Sequence, residues 1–166
     1  MERPMKGFSL IEILVVIGIF ALLGVITTQS LFLSLRGARK SDALGRVKQN
    51  LDYAVSIMER QLRNASKVSP CPNPVPQTRI DYTDKEGNPA YFSCEGIPAG
   101  FVASSSASVK LTSSEILITK CSLTCVAASG NVLPHVLVNL TGKDAVTIGS
   151  EGAEATIKTQ IFLRTY

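Results

Sequence analysis

Glu12 is the residue whose placement most demands a chemical explanation. It puts a carboxylate a few positions inside "KGFSLIEILVVIGIF", a segment that otherwise reads as membrane-spanning. A charged side chain near a bilayer centre costs roughly 2.5–3.5 kcal/mol on insertion scales, so such a group marks a functional position with a partner to offset that cost. Elsewhere the chain offers little for catalysis. His135 is the lone histidine and follows Pro134 at the start of a strand pattern, where an ordinary strand residue explains it better than a catalytic one. No nucleophile elbow, phosphate loop, metal-binding histidine pair or dinucleotide fingerprint is present. Asp81, Asp84, Glu86 and Asn88 supply oxygen ligands at short spacing, but a hairpin turn around Gly87 accounts for them without calcium. The reading is of a chain that is not an enzyme and needs no cofactor or metal.

Cys71, Cys94, Cys121 and Cys125 form the second constellation. They are even in number, contain no CxxC pair and all lie beyond the apolar run. That suits disulfides in an oxidising compartment rather than zinc. Cys121 and Cys125 are close enough in sequence to bridge a tight loop, which leaves Cys71 with Cys94; the other two connectivities stay open.

The elements that position these residues follow from periodicity. No residue from 13 to 26 is polar, and only Ser9 and Glu12 interrupt the stretch that begins at Phe8. As a helix this run is just long enough to cross a bilayer. A cleavable secretory signal fits poorly, because "TTQSLFLSLRGARK" lacks a small-residue cleavage pattern. Arg36, Arg39 and Lys40 then read as a cluster beside lipid headgroups. Basic residues flank both ends of the span, since Arg3 and Lys6 precede it, so charge alone leaves orientation open and the cysteines place the rest of the chain outside the cytoplasm.

After Gly37 the apolar positions Leu44, Val47, Leu51, Ala54, Met58, Leu62 and Ala65 recur at steps of three and four, the stripe of an amphipathic helix continuing from the apolar one. Gly18, Gly24, Gly37 and Gly45 are its bendable points. The helix is expected to end between residues 64 and 68, because "SPCPNPVPQ" excludes both helix and central strand and demands a loop or extended connector. Beyond it the period becomes two. "TRIDYT", "AYFSC", "EILITKC", "HVLVNL" and "ATIKTQIFLRTY" read as strands, with "DKEGNP", "AGFVASSSAS" and "LTGKD" as turns. The expected class is α+β, a long N-terminal helix with an apolar then an amphipathic half, packed on a C-terminal antiparallel β-sheet head.

The stretch Lys6, Gly7, Phe8, Ser9, Leu10, Ile11, Glu12 and the apolar run behind it closely resembles the class III signal sequence of type IV pilins and of type II secretion pseudopilins. The resemblance implies a leader at 1–7, cut by a prepilin peptidase between Gly7 and Phe8, with N-methylation of Phe8 by the same enzyme. Glu12 becomes the fifth residue of the mature chain, and its implied role is to pair with the N-terminal amine of a neighbouring subunit. Residues 8–35 would be the membrane and filament-core helix, 36–68 its amphipathic half and 69–166 the disulfide-containing head. The implied partners are the peptidase, other pilin or pseudopilin subunits, an inner-membrane assembly platform and membrane lipid, with nucleic acid unsupported by any motif. The implied location is the bacterial inner membrane, then a periplasmic or extracellular filament. Helices of this family often carry a proline in the apolar half, and this one has none between Phe8 and Val68, which points to a minor subunit. The reading of a different class is a permanently anchored extracytoplasmic binding module, which has no need of Gly7 before Phe8 or of Glu12.

Overall fold

The computed structural model describes residues 7, 9–69, 71, 73–105, 109–147 and 149–164. One helix, α1 (Leu10–Asn64), is followed by strands β1 (Lys67–Ser69), β2 (Asn73–Gln77), β3 (Arg79–Thr83), β4 (Pro89–Glu95), β5 (Phe101–Ser104), β6 (Val109–Lys110), β7 (Ile116–Val126), β8 (His135–Asp144) and β9 (Glu154–Phe162). A 3-10 turn, Gly149–Glu151, precedes β9. The chain divides within α1 into two compact units, Met1–Arg39 and Lys40–Tyr166.

The second unit is a helix against two antiparallel sheets. Among the described residues one sheet has the order β1-β3-β4-β5-β6 and the other β2-β7-β8-β9. The helical stripe that faces them is Ala43, Val47, Leu51, Ala54, Val55, Met58 and Leu62, all buried at the three- and four-residue spacing of one helix face. Leu44, an expected member of the stripe, is half-buried, and Ala43 takes its place in the packed row. The strands contribute alternate residues to the same core, Ile80, Tyr82, Phe92 and Val102 from one sheet and Ile118, Leu123, Val136, Val138, Leu140 and Ile161 from the other. Each fully buried side chain of this size stabilises the fold by about 1.5–3 kcal/mol relative to exposure. Tyr82 and Phe92 stack with ring centroids 5.2 Å apart, and the Tyr82 hydroxyl donates to Gln61 Oε1 of the helix at 2.6 Å. A polar tip inside a packed core is thereby satisfied.

The two sheets are joined at Gly100, which exchanges backbone hydrogen bonds of 3.2 and 2.8 Å with Ile118. Only glycine fits there, since a Cβ would lie 1.8 Å from the Glu95 carbonyl oxygen.

All five strands expected from periodicity are present. Four others were not expected: β2 and β5 come from segments read as connector and turn, β1 follows the helix and β6 is two residues long, while "LTGKD", read as a turn, forms the second half of β8. The proline-rich connector contains β2, which lies at the edge of its sheet, where the missing N–H of Pro74 and Pro76 is tolerated. The stretch "AGFVASSSAS" contains β5 and is not simply a turn, because Phe101 and Val102 pack before the serines begin; residues 106–108 lie outside the described set. The helix ends at Asn64, and residues 67–69 are already strand β1.

The cysteine pairing differs from the expected one. The disulfides are Cys71–Cys125 and Cys94–Cys121, with Cα separations of 5.2 and 6.3 Å. Cys121 and Cys125 both sit on β7. Four residues of extended strand span about 13 Å, roughly twice what a disulfide bridges, so the two cannot pair with each other and Cys71 is not left for Cys94. Each instead reaches another element. Cys121 ties β7 to β4 across the two sheets, and Cys125 ties it to the segment entering β2.

Candidate processing and assembly segment

The helix starts where a side chain caps it. The Glu12 amide meets Ser9 Oγ at 3.3 Å and the Ser9 carbonyl at 3.0 Å, and the Ile13 amide also reaches that carbonyl at 3.3 Å. Ser9 is thus the N-cap and Glu12 the third helical residue, the S-x-x-E spacing of a capping box. That spacing is the sequence signal of both the helix start and the phase of Glu12. A carboxylate in the first turn also lies at the positive end of the helix dipole.

Gly7 is exposed and belongs to neither helix nor strand. The expectations for residues 1–6 and for Phe8, its release as the new N-terminus and its methylation, fall outside the described residues. What the described ones show is that regular helix begins only at Leu10, past the Gly7–Phe8 bond.

Between positions 10 and 35 every large apolar side chain is exposed, the least exposed, Val16, at 46%. The helix is long and apolar enough here to cross a membrane. A surface of this kind is not stable in water and marks a lipid-facing or subunit-facing element. Its two threonines carry no unsatisfied hydroxyl into that setting. Thr27 donates to the Leu23 carbonyl at 2.9 Å and Thr28 to that of Gly24 at 2.7 Å. Glu12 is the one ionisable residue from Leu10 to Leu35, and among the described residues its carboxylate has no ion-pair or hydrogen-bond partner.

In the second unit the other sequence candidates have structural roles. His135 Nδ1 lies 3.0 Å from the Leu133 carbonyl, and its ring leans on Phe162 with centroids 5.8 Å apart. Asp84 closes the β3–β4 turn. Its Oδ1 accepts the Asn88 amide at 2.8 Å, and Gly87 takes φ +89° as the turn requires. That backbone hydrogen bond lowers the Asp84 pKa against the opposing effect of desolvation. Asp81 is turned to Arg79, at 2.8 Å, and does not converge with Asp84. Among the described residues no three His, Cys, Asp or Glu side chains are placed to hold a metal.

One ion pair had no sequence signal at all, because its members are 98 residues apart. Arg46 of the helix donates to Asp144 Oδ2 at 3.1 Å, and the same oxygen accepts the Thr147 amide at 3.0 Å. The Asp144 side chain is fully buried. Burial alone pushes its pKa up, but the hydrogen bonds from Thr147 and the Arg46 guanidinium outweigh it, and the net direction is down.

Residues 3–28 match the prokaryotic N-terminal methylation motif, the hallmark of type IV pilins and pseudopilins. The match contains Gly7, Phe8, Ser9, Glu12 and most of the apolar helix, and ends before the second unit begins. Neither the curated proteins nor the solved structures include a match to the chain.

Proposed function

We propose, from the methylation motif and the capped helix that follows it, that the chain is a structural subunit, a minor pilin or pseudopilin, of a type IV pilus-like or type II secretion filament. The observation that carries this reading is the combination of an exposed Gly7, a helix start at Ser9 and an uncovered apolar helix whose single charge is Glu12. A prepilin peptidase cuts between Gly7 and Phe8 and methylates Phe8. The apolar helix holds the subunit in the inner membrane with residues 69–166 outside the cytoplasm, and an assembly platform then moves it into the filament. There the helix exchanges lipid contacts for contacts with equivalent helices, a step driven by packing rather than by water.

Glu12 sets the register of that exchange. The new amine at Phe8 of one subunit and the carboxylate of its neighbour are each strongly unfavourable alone in an apolar core, and pairing offsets part of the desolvation of both. Glu12→Ala is expected to leave processing near wild-type level while lowering the amount of subunit in sheared filaments at least tenfold, read by immunoblot of membrane and sheared fractions. Undiminished incorporation of the processed variant contradicts the role given to Glu12.

A further inference from the structure

The four sheet edges are not alike. β1 is three residues long and β6 two, and β2 carries Pro74 and Pro76 with an irregular register against β7. Short strands, prolines and bulges are the usual means by which an edge is kept from pairing with another chain. β9 has none of them. It runs nine residues without proline or glycine, in unbroken register with β8 from His135↔Phe162 to Lys143↔Glu154, and among the described residues no strand pairs with its outer side.

The core beneath β9 is open as well. On β8 the inward-facing Val136, Val138 and Leu140 are fully buried, whereas Ala155, Ile157 and Thr159 of β9 are only half-buried. An added strand would extend the cover over Ala155 and Ile157. The outward face of β9 carries Glu154 and Lys158 four residues apart, so both point the same way. Lys158 has no ion-pair or hydrogen-bond partner among the described residues. Among the described residues Glu154 accepts a Thr119 hydroxyl at 3.2 Å and has no cationic partner.

These features select the occupant. We infer that β9 pairs antiparallel with β9 of a second copy of this chain about a local two-fold axis at Thr156. That register sets Glu154 opposite the second copy's Lys158 twice and Ala155 opposite its Ile157 twice, so charge and apolar surface are both matched. A register centred on Lys158 would use the whole strand but place two lysines face to face, which is unfavourable. A short strand pair buries less than a stable soluble dimer needs. Two copies held in one membrane meet at a far higher effective concentration, and there the pairing suffices.

Thr156 sits on the axis, and directly opposed residues of an antiparallel pair are within disulfide reach. The full-length chain is expressed in bacterial membranes as Thr156→Cys, with Lys85→Cys, exposed at the β3–β4 turn, as the comparison. After mild copper-phenanthroline oxidation, the Thr156→Cys chain is expected to run as a homodimer at least ten times more abundant than that of Lys85→Cys. Adding Glu154→Lys is expected to abolish the excess, and adding Lys158→Glu as well to restore it. Equal cross-linking at both sites, a product of any size other than the homodimer, or indifference to the charge changes overturns the inference. Mapping of the native disulfides in each variant confirms that the unit has folded, and the cross-link is read in membranes, so the result does not depend on filament assembly.

Discussion

At the scale of single residues, the account turns on charges held in apolar surroundings. Glu12 and Asp144 are opposite solutions to that problem. Asp144 finds its partners within the chain, in Arg46 and Thr147, whereas Glu12 lies on an uncovered helix, and the proposed function gives it a partner in another subunit. The consequence for Asp144 is measurable. Its folded pKa lies below the value of about 3.9 expected in the unfolded chain, so between the two the unfolded state binds more protons. Its contribution to stability is therefore complete above pH of about 4 and is lost as pH falls through the folded pKa. Asp144→Asn keeps the shape but removes the charge, and is expected to cost about 2–3 kcal/mol at pH 7, an effect that shrinks steadily below pH of about 4. Thermal melts of the two proteins across that range are the check. Glu12 was legible in the sequence because an ionisable residue in an apolar run is conspicuous. Arg46 and Asp144 were not, since each looks like an ordinary surface charge until the fold brings them together.

At the scale of elements, the helix and the long strands were legible because each has a clean period: 3.6 residues in the stripe from Val47 to Leu62, and two in β8 and β9. β2 and β5 were hidden by their composition, the one by prolines that an edge strand tolerates and the other by the serines that follow it. The disulfides show how an element overrides sequence distance. Cys121 and Cys125 look like natural partners until both are placed on β7. The observed bridges close loops with sequence separations of 54 and 27, each worth about 3.5–4 kcal/mol in the chain-entropy picture. Digestion without reduction is expected to release one fragment pair holding Cys71 with Cys125 and another holding Cys94 with Cys121, and reduction to lower the melting temperature. A fragment linking Cys71 to Cys94 contradicts the fold of β7.

At the scale of the whole molecule, the chain assigns different tasks to its two units. The second carries the packed core, both disulfides and the paired buried charge, and so has the means of its own stability. The described residues of the first bury no apolar side chain and present their apolar surface outward, which suits a segment that, as proposed, passes from lipid to protein contacts. The central claim is that this first unit is cut and methylated before it is used. The most direct test is mass spectrometry of the intact protein from membranes of cells that contain a prepilin peptidase. The account predicts a chain beginning at N-methylated Phe8, with both disulfides intact. A chain that still begins at Met1, or one cut beyond Ile26, contradicts it.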